Sequence, residues 1–267
     1  MNTRVEGSHV LIGTSGYSYR EWVGAFYPPG TNSREYLSYY AGHFDFTELN
    51  YSYYRMPDPH QTSQIVHKAR SANPGFRLSI KAHRSLTHER DHDAPHPRAV
   101  EAFRRGIEPL LADDALLCVL AQFPFSFHYQ DSERRYLDAL CEALSGLPLA
   151  VEFRNRDWQR ESVFRGLQDR DVSYVVVDTP DLRGLPEGLV RSTSGLSYLR
   201  LHGRNSGAWW SGDARSRYQY NYADEELQEW LPGIHELESQ SEILAIAFNN
   251  HADASAPLNA TKLAGML

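Results

Sequence analysis

A chain of 267 residues, 41% hydrophobic and 23% charged, is long enough to bury a full core without disulfides or a metal. Its net charge of −7 excludes a protein that coats nucleic acid by bulk attraction, although a local basic patch can still hold phosphate. No stretch approaches the roughly 18 apolar residues of a membrane span, and 1–9 lacks a signal-peptide core. The expected setting is therefore the cytoplasm, with no membrane partner, and Cys118 and Cys141 read as two reduced, buried thiols.

In chain order, the polar segment 1–9, with Gly7-Ser8, reads as a disordered or extraneous N-terminus before a single domain over 10–267. The first apolar run, Leu11-Ile12-Gly13-Thr14-Ser15, leads into an aromatic loop of Tyr17, Trp22, Phe26 and Tyr27. A helix follows, with Ser33 as its expected cap and Tyr36, Leu37 and Tyr40 as its buried stripe. The second strand lies near 44–50, and Asp58-Pro59 signals the next helix, because proline at the first helical position forfeits no needed donor. A third strand covers 76–81, and Pro97 opens a helix in which Val100, Phe103, Ile107 and Leu110 recur at helical spacing. Strand four spans 115–122, Asp131 or Ser132 caps a helix, and strand five spans 148–154. Val163, Phe164 and Leu167 mark a further helix, and strand six covers 172–178. The Pro- and Gly-rich stretch 179–196 stands where a helix would fall. Strand seven near 197–203, a long aromatic loop to Tyr222, a helix capped by Asp224, strand eight near 242–249 and a closing helix complete the chain.

This alternation predicts an α/β fold, a (β/α)₈ barrel of the TIM type with a loop in place of the helix after strand six. An open doubly wound sheet fits less well, because Gly13-Thr14-Ser15-Gly16 leads into aromatic residues instead of a helix. Each strand-like run ends in polar residues, and in such barrels the C-terminal tips build the site. Side chains alternate along a strand, so Glu48 shares a face with Asn50, Ser79 with Lys81, Glu152 with Arg154, and Arg200 with His202. Together with Asp178, these groups are expected to point inward as one mixed-charge set. The plain alternative is an ion-pair network that only plugs the barrel.

Several chemistries compete for that set. A retaining glycosidase needs two carboxyl groups about 5–5.5 Å apart, yet the tips of strands four and seven carry Gln122 and His202. A metal-dependent isomerase or nuclease can draw on Glu48, Glu152, Asp178 and His202, but nearby cations repel a metal and the eighth tip offers Asn249-Asn250. Divalent metal is accordingly disfavoured, and no cofactor is expected. An anionic small molecule, such as a sugar phosphate or nucleotide, fits better, gripped by Lys81, Arg154, Arg200, His202 and Arg204.

In that reading Glu48, Glu152 or Asp178 acts as base or orienting group, and His202 as a proton shuttle near neutral pH. A Schiff base at Lys81 requires neighbouring cations to lower its pKa, with acidic neighbours opposing. Thr14, Ser15, Tyr17, Asn50, Tyr53, Gln122, Trp209, Tyr220, Asn249 and Asn250 are the remaining candidate ligand contacts. The catalytic class stays open among hydrolase, lyase and isomerase. A non-catalytic nucleic-acid binder is the alternative, with Trp209-Trp210 and Tyr218 to Tyr222 stacking bases beside Arg204, Arg215 and Arg217. His83, His88, His92 and His96 match no ligand spacing and read as a polar loop, while His251 is divided between the mouth and solvent.

Gly13-Thr14-Ser15-Gly16-Tyr17, Trp22, Phe26-Tyr27-Pro28 and Glu48-Leu49-Asn50-Tyr51-Ser52-Tyr53-Tyr54-Arg55 with Pro57 together resemble the opening of the YecE-like family, domain of unknown function 72. The resemblance continues through Ser79-Ile80-Lys81, Leu86-Thr87-His88, Ala121-Gln122-Phe123-Pro124 and Val151-Glu152-Phe153-Arg154 with Trp158. It ends in Tyr198-Leu199-Arg200-Leu201-His202-Gly203-Arg204, Tyr218 to Tyr222 and Phe248-Asn249-Asn250. Each motif is weak alone; their order and spacing are specific. The resemblance implies a cytoplasmic (β/α)₈ barrel and brings no reaction with it. Tyr17 stands where the family commonly has tryptophan, and Asn155 where a histidine often follows the arginine.

Overall fold

Eight apolar runs form eight parallel strands that close on themselves in chain order. The computed structural model describes residues 10–267 except Asp91 and Gly212; the expectation for 1–9 lies outside the described residues. The strands are β1 (Val10–Ser15), β2 (Phe46–Leu49), β3 (Arg77–Lys81), β4 (Leu116–Gln122), β5 (Leu149–Glu152), β6 (Ser173–Asp178), β7 (Leu196–Leu201) and β8 (Ile243–Phe248). Strand β8 pairs with both β7 and β1, which removes every sheet edge. Parallel strands covered on both faces need apolar residues on both sides, which explains why their sequences are nearly continuous hydrophobic runs.

Two apolar clusters follow from the strand geometry. One fills the lumen, with Phe46, Leu120, Ala150, Val175, Val177 and Tyr198 among its members. The larger one lies between strands and outer helices and includes Ile80, Phe103, Leu140, Val176, Leu199 and Ile246. Gly13 belongs to β1 because a Cβ there would overlap the Phe46 carbonyl oxygen of the neighbouring strand.

Asp58 caps the helix Pro59–Ala72, accepting from the Gln61 amide at 2.9 Å. His96 caps Pro97–Ala112 in the same way. Other helix starts differ from the sequence reading. The first helix begins at Tyr36, not beside Ser33. Asp131 is already helical, with Gln130 at the cap, so both acidic residues Asp131 and Glu133 sit in the first turn. Asp224 likewise stands inside its helix, which ends at Gln228; a second helix, Leu231–Gln240, starts with Pro232 in its first turn. No helix is described between β6 and β7, where 179–195 runs as a loop. Both cysteines are free and buried. Among the described residues, no helix is long and apolar enough to cross a membrane.

Candidate active site

The lumen narrows to a charged floor just below the strand tips. Arg200, on the inward face of β7, is 1% exposed and spans the barrel. Its Nε donates to Glu48 Oε2 at 3.0 Å and its Nη2 to Glu48 Oε1 at 2.6 Å, a bidentate fork. Nη1 donates to Glu152 Oε2, and Nη2 also reaches Ser15 Oγ at 3.0 Å. Glu48 receives two further hydrogen bonds, from Ser15 Oγ at 2.8 Å and Tyr198 Oη at 2.7 Å. Both carboxylates are fully buried; saturation of its lone pairs makes the charge of Glu48 tolerable, and that of Glu152 relies on ion pairing.

Glu152 has a second cation, Arg154, whose Nε lies 2.5 Å from Oε1. Burial alone would raise its carboxyl, but Arg154, Arg200 and His202 hold it well below the usual range. His202 Nε2 stands 3.3 Å from the same oxygen, while Asn249 Nδ2 approaches Nδ1 at 3.0 Å. With Asn249 donating, the neutral ring carries its proton on Nε2, toward Glu152. Burial and Arg154 lower the His202 pKa to about 3. It is therefore neutral at physiological pH, and the expectation of a shuttle titrating near neutrality is corrected: an inward-facing base beside an arginine stays unprotonated.

Above this floor opens a cavity of about 460 Å³. Lys81, Arg154, Arg200 and Arg217 line it, with Asn50, Gln122 and Asn249, and among the described residues no carboxylate belongs to its lining. Lys81 Nζ donates to Gln122 Oε1 at 2.8 Å and lies 4.6 Å from the centre of the Tyr53 ring. Burial and Arg200 lower the Lys81 pKa to about 8, outweighing the opposite pull of Tyr218, Glu48 and Glu152. The acidic residues expected to resist such a shift are engaged by Arg200.

The rim is aromatic. Tyr19, Tyr53, Tyr54, Phe125, Trp209, Trp210 and Tyr218 surround the opening. Arg154 donates from Nη2 to Tyr218 Oη at 3.3 Å. Burial raises the Tyr218 phenol, but Arg154 and Lys81 outweigh it and bring the pKa below the ordinary value. His88 also lines the cavity, with its pKa lowered to about 4 by burial, Lys81, Arg90 and Arg154. His251 joins it there, stacked on Tyr19 at 4.8 Å. Asn50 Oδ1 is buried without a hydrogen-bond partner among the described residues.

The structure thus brings Glu48, Lys81, Glu152, Arg200 and His202 together and leaves Asp178 apart. Val175 and Val177 occupy the lumen, so the next residue of β6 must face outward. Asp178 accepts from Tyr222 Oη at 2.5 Å and from Arg204 Nε at 3.1 Å, while Arg204 reaches Glu229 at 2.9 Å. Tyr220 donates to Glu226 in the same outer network. Arg204, Tyr220 and Asp178 are thereby corrected from cavity contacts to fasteners of the loop after β7. Asn250 belongs with them, donating to the Tyr220 carbonyl at 2.9 Å and to Asn259 at 2.8 Å. Thr14 faces outward too, bonded to Tyr40 Oη at 2.8 Å, and the Tyr17 carbonyl accepts from Tyr27 in the buried loop packing. Ser15 belongs to the floor, and Asn50, Tyr53, Gln122, Arg154, Trp209 and Asn249 reach the cavity or its rim.

His88, Tyr19 and Arg217 also line the cavity. The sequence offers His88 only as part of a polar loop, Tyr19 only as an aromatic of the first loop and Arg217 only as a phosphate contact of a nucleic-acid binder, and it favours Tyr220 over Tyr218. The Leu86-Thr87-His88 motif was the available signal for His88. Tyr218 had one as well, as the first aromatic of the Tyr218 to Tyr222 run.

A closed parallel barrel with a cation-lined mouth at its strand tips defines the class as a TIM-barrel protein. The sequence model for "Protein of unknown function DUF72" matches residues 11–267, and the chain belongs to that family. It is 27% identical to the UPF0759 protein YunF of Bacillus subtilis, over 97% of this chain and 94% of that one. The crystal structure of a DUF72 family protein (TM1631) from Thermotoga maritima is similar at a TM-score of 0.86 and 34% identity, covering 96% of this chain and 98% of that one. A 3-keto-D-glucoside 4-epimerase, YcjR, from E. coli shares the fold at a TM-score of 0.52 and 11% identity, over 97% and 98% of the two chains.

Proposed function

We propose that the barrel mouth binds and transforms an anionic small molecule bearing a ring, of the sugar-phosphate or nucleotide type. The observation that carries this reading is the charge of the lining. Among the described residues, Lys81, Arg154, Arg200 and Arg217 face the cavity and no carboxylate does, while Glu48 and Glu152 lie beneath to offset them. With His88 and His202 held neutral, cations exceed carboxylates by four to two, and the surplus calls for an anion. The aromatic rim adds faces on which a sugar or base can stack. In this reading Arg154 and Arg217 grip the anion, Arg200 and the two glutamates fix the geometry of the floor, and Lys81 with Tyr218 supplies the protons that move.

Thermal denaturation with added ligands tests it. A ligand that binds only the folded chain stabilises by about 2.7 kcal/mol at a hundred times its Kd. Inorganic phosphate, sugar phosphates and nucleotides should raise the Tm at fixed ionic strength, and the corresponding neutral sugars and nucleosides should not. Arg154→Met should remove the response. Equal shifts with neutral and phosphorylated compounds, or none with any anion, would overturn the reading.

A further inference from the structure

Of the chain's 27 basic residues, three are lysines (Lys68, Lys81 and Lys262) and the other 24 are arginines. Lys68 and Lys262 sit on the outer helices Pro59–Ala72 and Ser255–Ala264. Lys81 alone occupies a strand tip, half-buried and lining the cavity among arginines. Charge alone does not account for a lysine there, since an arginine holds charge as well and binds phosphate in two-pronged fashion. What arginine lacks is a proton it can release and a nucleophilic lone pair. Among the described residues, the cavity lining contains no serine, threonine, cysteine, aspartate or glutamate. Its nitrogen nucleophiles are the Lys81 amine and the imidazoles of His88 and His251, and His88 Nδ1 is engaged with Thr87 Oγ1 at 2.9 Å.

The surroundings of Lys81 suit an amine more than a fixed cation. Among the described residues no carboxylate forms an ion pair with it; its hydrogen-bond acceptor is the neutral Gln122 amide oxygen, at 2.8 Å. Gln122 is itself held, donating from Nε2 to the Phe123 carbonyl at 2.7 Å, so the amide presents its oxygen to Lys81. Burial and Arg200 bring the amine to about 8, where an ordinary lysine is almost wholly protonated. Facing it from other elements are Tyr53, Glu48, Glu152, Arg200, His88 and Tyr218. Of these, Tyr218 is the proton-carrying group whose ionisation is eased by cations.

We infer that Lys81 is a carbonyl-reactive amine, and that the anionic ligand of the mouth is accordingly an aldehyde or ketone. This rests on the anion-binding reading above. In the step, the neutral amine's lone pair forms a C–N bond to the carbonyl carbon while the C–O π pair moves to oxygen. A proton passes from nitrogen to that oxygen, giving a carbinolamine. The C–O bond then breaks as nitrogen's lone pair forms the C=N bond, and the departing hydroxide takes the Tyr218 phenol proton and leaves as water. The products are a protonated Schiff base, water and a phenolate beside Arg154. No oxidant or reductant is consumed.

Pyridoxal 5′-phosphate, an anionic aldehyde, is the probe. The intact chain is incubated with it at pH 8, reduced with borohydride, digested, and the fixed label located by mass. The expected result is at least about tenfold more label at Lys81 than at Lys68 or Lys262, because the lowered pKa supplies far more free amine at that pH. Competition by inorganic phosphate, and weaker labelling by pyridoxal, should accompany it. Lys81→Arg should abolish the label at this site. If the probe stabilises the fold and phosphate competes, yet no label is fixed at Lys81, the amine inference fails and the anion reading stands. If pyridoxal labels Lys81 as strongly as its phosphate and phosphate does not compete, the anion reading fails, and the anionic ligand class with it.

Discussion

Two polar networks sit at the same end of the barrel, on opposite sides of its wall. The inner one gathers Glu48, Glu152, Arg154 and Arg200, and with Lys81 and Arg217 it leaves cations in excess facing a cavity. The outer one sets a single arginine, Arg204, against Asp178, Glu226 and Glu229. Its carboxylates outnumber its cation, and its tyrosines and asparagines bond to the loop after β7. Similar residues thus do different jobs according to strand parity. On the lumen side, a surplus of donors is left for something to accept; on the outer side, the donors are consumed by the chain itself.

The largest test removes the floor's shared cation. Arg200→Met leaves Glu48 and Glu152 buried without their main partner and should cost about 3–5 kcal/mol in denaturant unfolding. Adding Glu48→Gln and Glu152→Gln to that variant should recover much of the loss. Next, Asp178→Asn should cost about 1.5–3 kcal/mol, because charged hydrogen bonds from Arg204 and Tyr222 are weakened, while phosphate binding is unchanged. Impaired phosphate binding would merge the two networks.

Arg154→Met should do the reverse, since Glu152 keeps Arg200: affinity for phosphate falls by about tenfold or more by calorimetry, with a smaller stability change. The acid limb is smaller. His202 has its pKa lowered from 6.5 to about 3, so between those values the unfolded chain binds the proton that the folded chain refuses. Stability should therefore fall as pH drops through that window, and His202→Gln should flatten that part of the profile. The smallest effect lies at alkaline pH. Lys81 is lowered from 10.5 to about 8, so the unfolded chain again holds more protons between those values, and stability contributed by this site should rise with pH across them. Phosphate affinity should decline over the same range, and Lys81→Met should remove both slopes.

The barrel itself was legible because its signal is repetitive: apolar runs covered on both faces, alternating with helical stripes such as Val100, Phe103, Ile107 and Leu110. Inward placement of Glu48, Lys81, Glu152 and Arg200 was legible for the same reason, from alternation within each strand. Asp178 was misplaced because it ends a run of valines that gives no polar partner two residues back; only the lumen position of Val177 fixes its side. Thr14 was misplaced by one residue in the same way, next to the inward Ser15. The rim was harder still. Loops have no period, so nothing in the order Tyr218-Gln219-Tyr220 tells which ring faces the cavity and which packs over Gly203, whose φ of +87° and lack of a Cβ let Tyr220 approach. The burial of Trp22 and Tyr27 shows that much of the first aromatic loop serves as its own core.

The reach of Arg200 also bears on how the chain assembles. Its carboxylate partners lie 152 and 48 residues earlier, on β2 and β5, so neither can be neutralised by it until β7 has arrived. An intermediate made of the first six strands would have to shelter two carboxylates lacking this arginine, a penalty that discourages early closure. Contacts of such long separation form slowly, because the intervening chain must be ordered first. The lumen is thus expected to dry late, with the C-terminal strands, and pulsed hydrogen exchange during refolding should show protection at β7 and β8 coinciding with protection at β2.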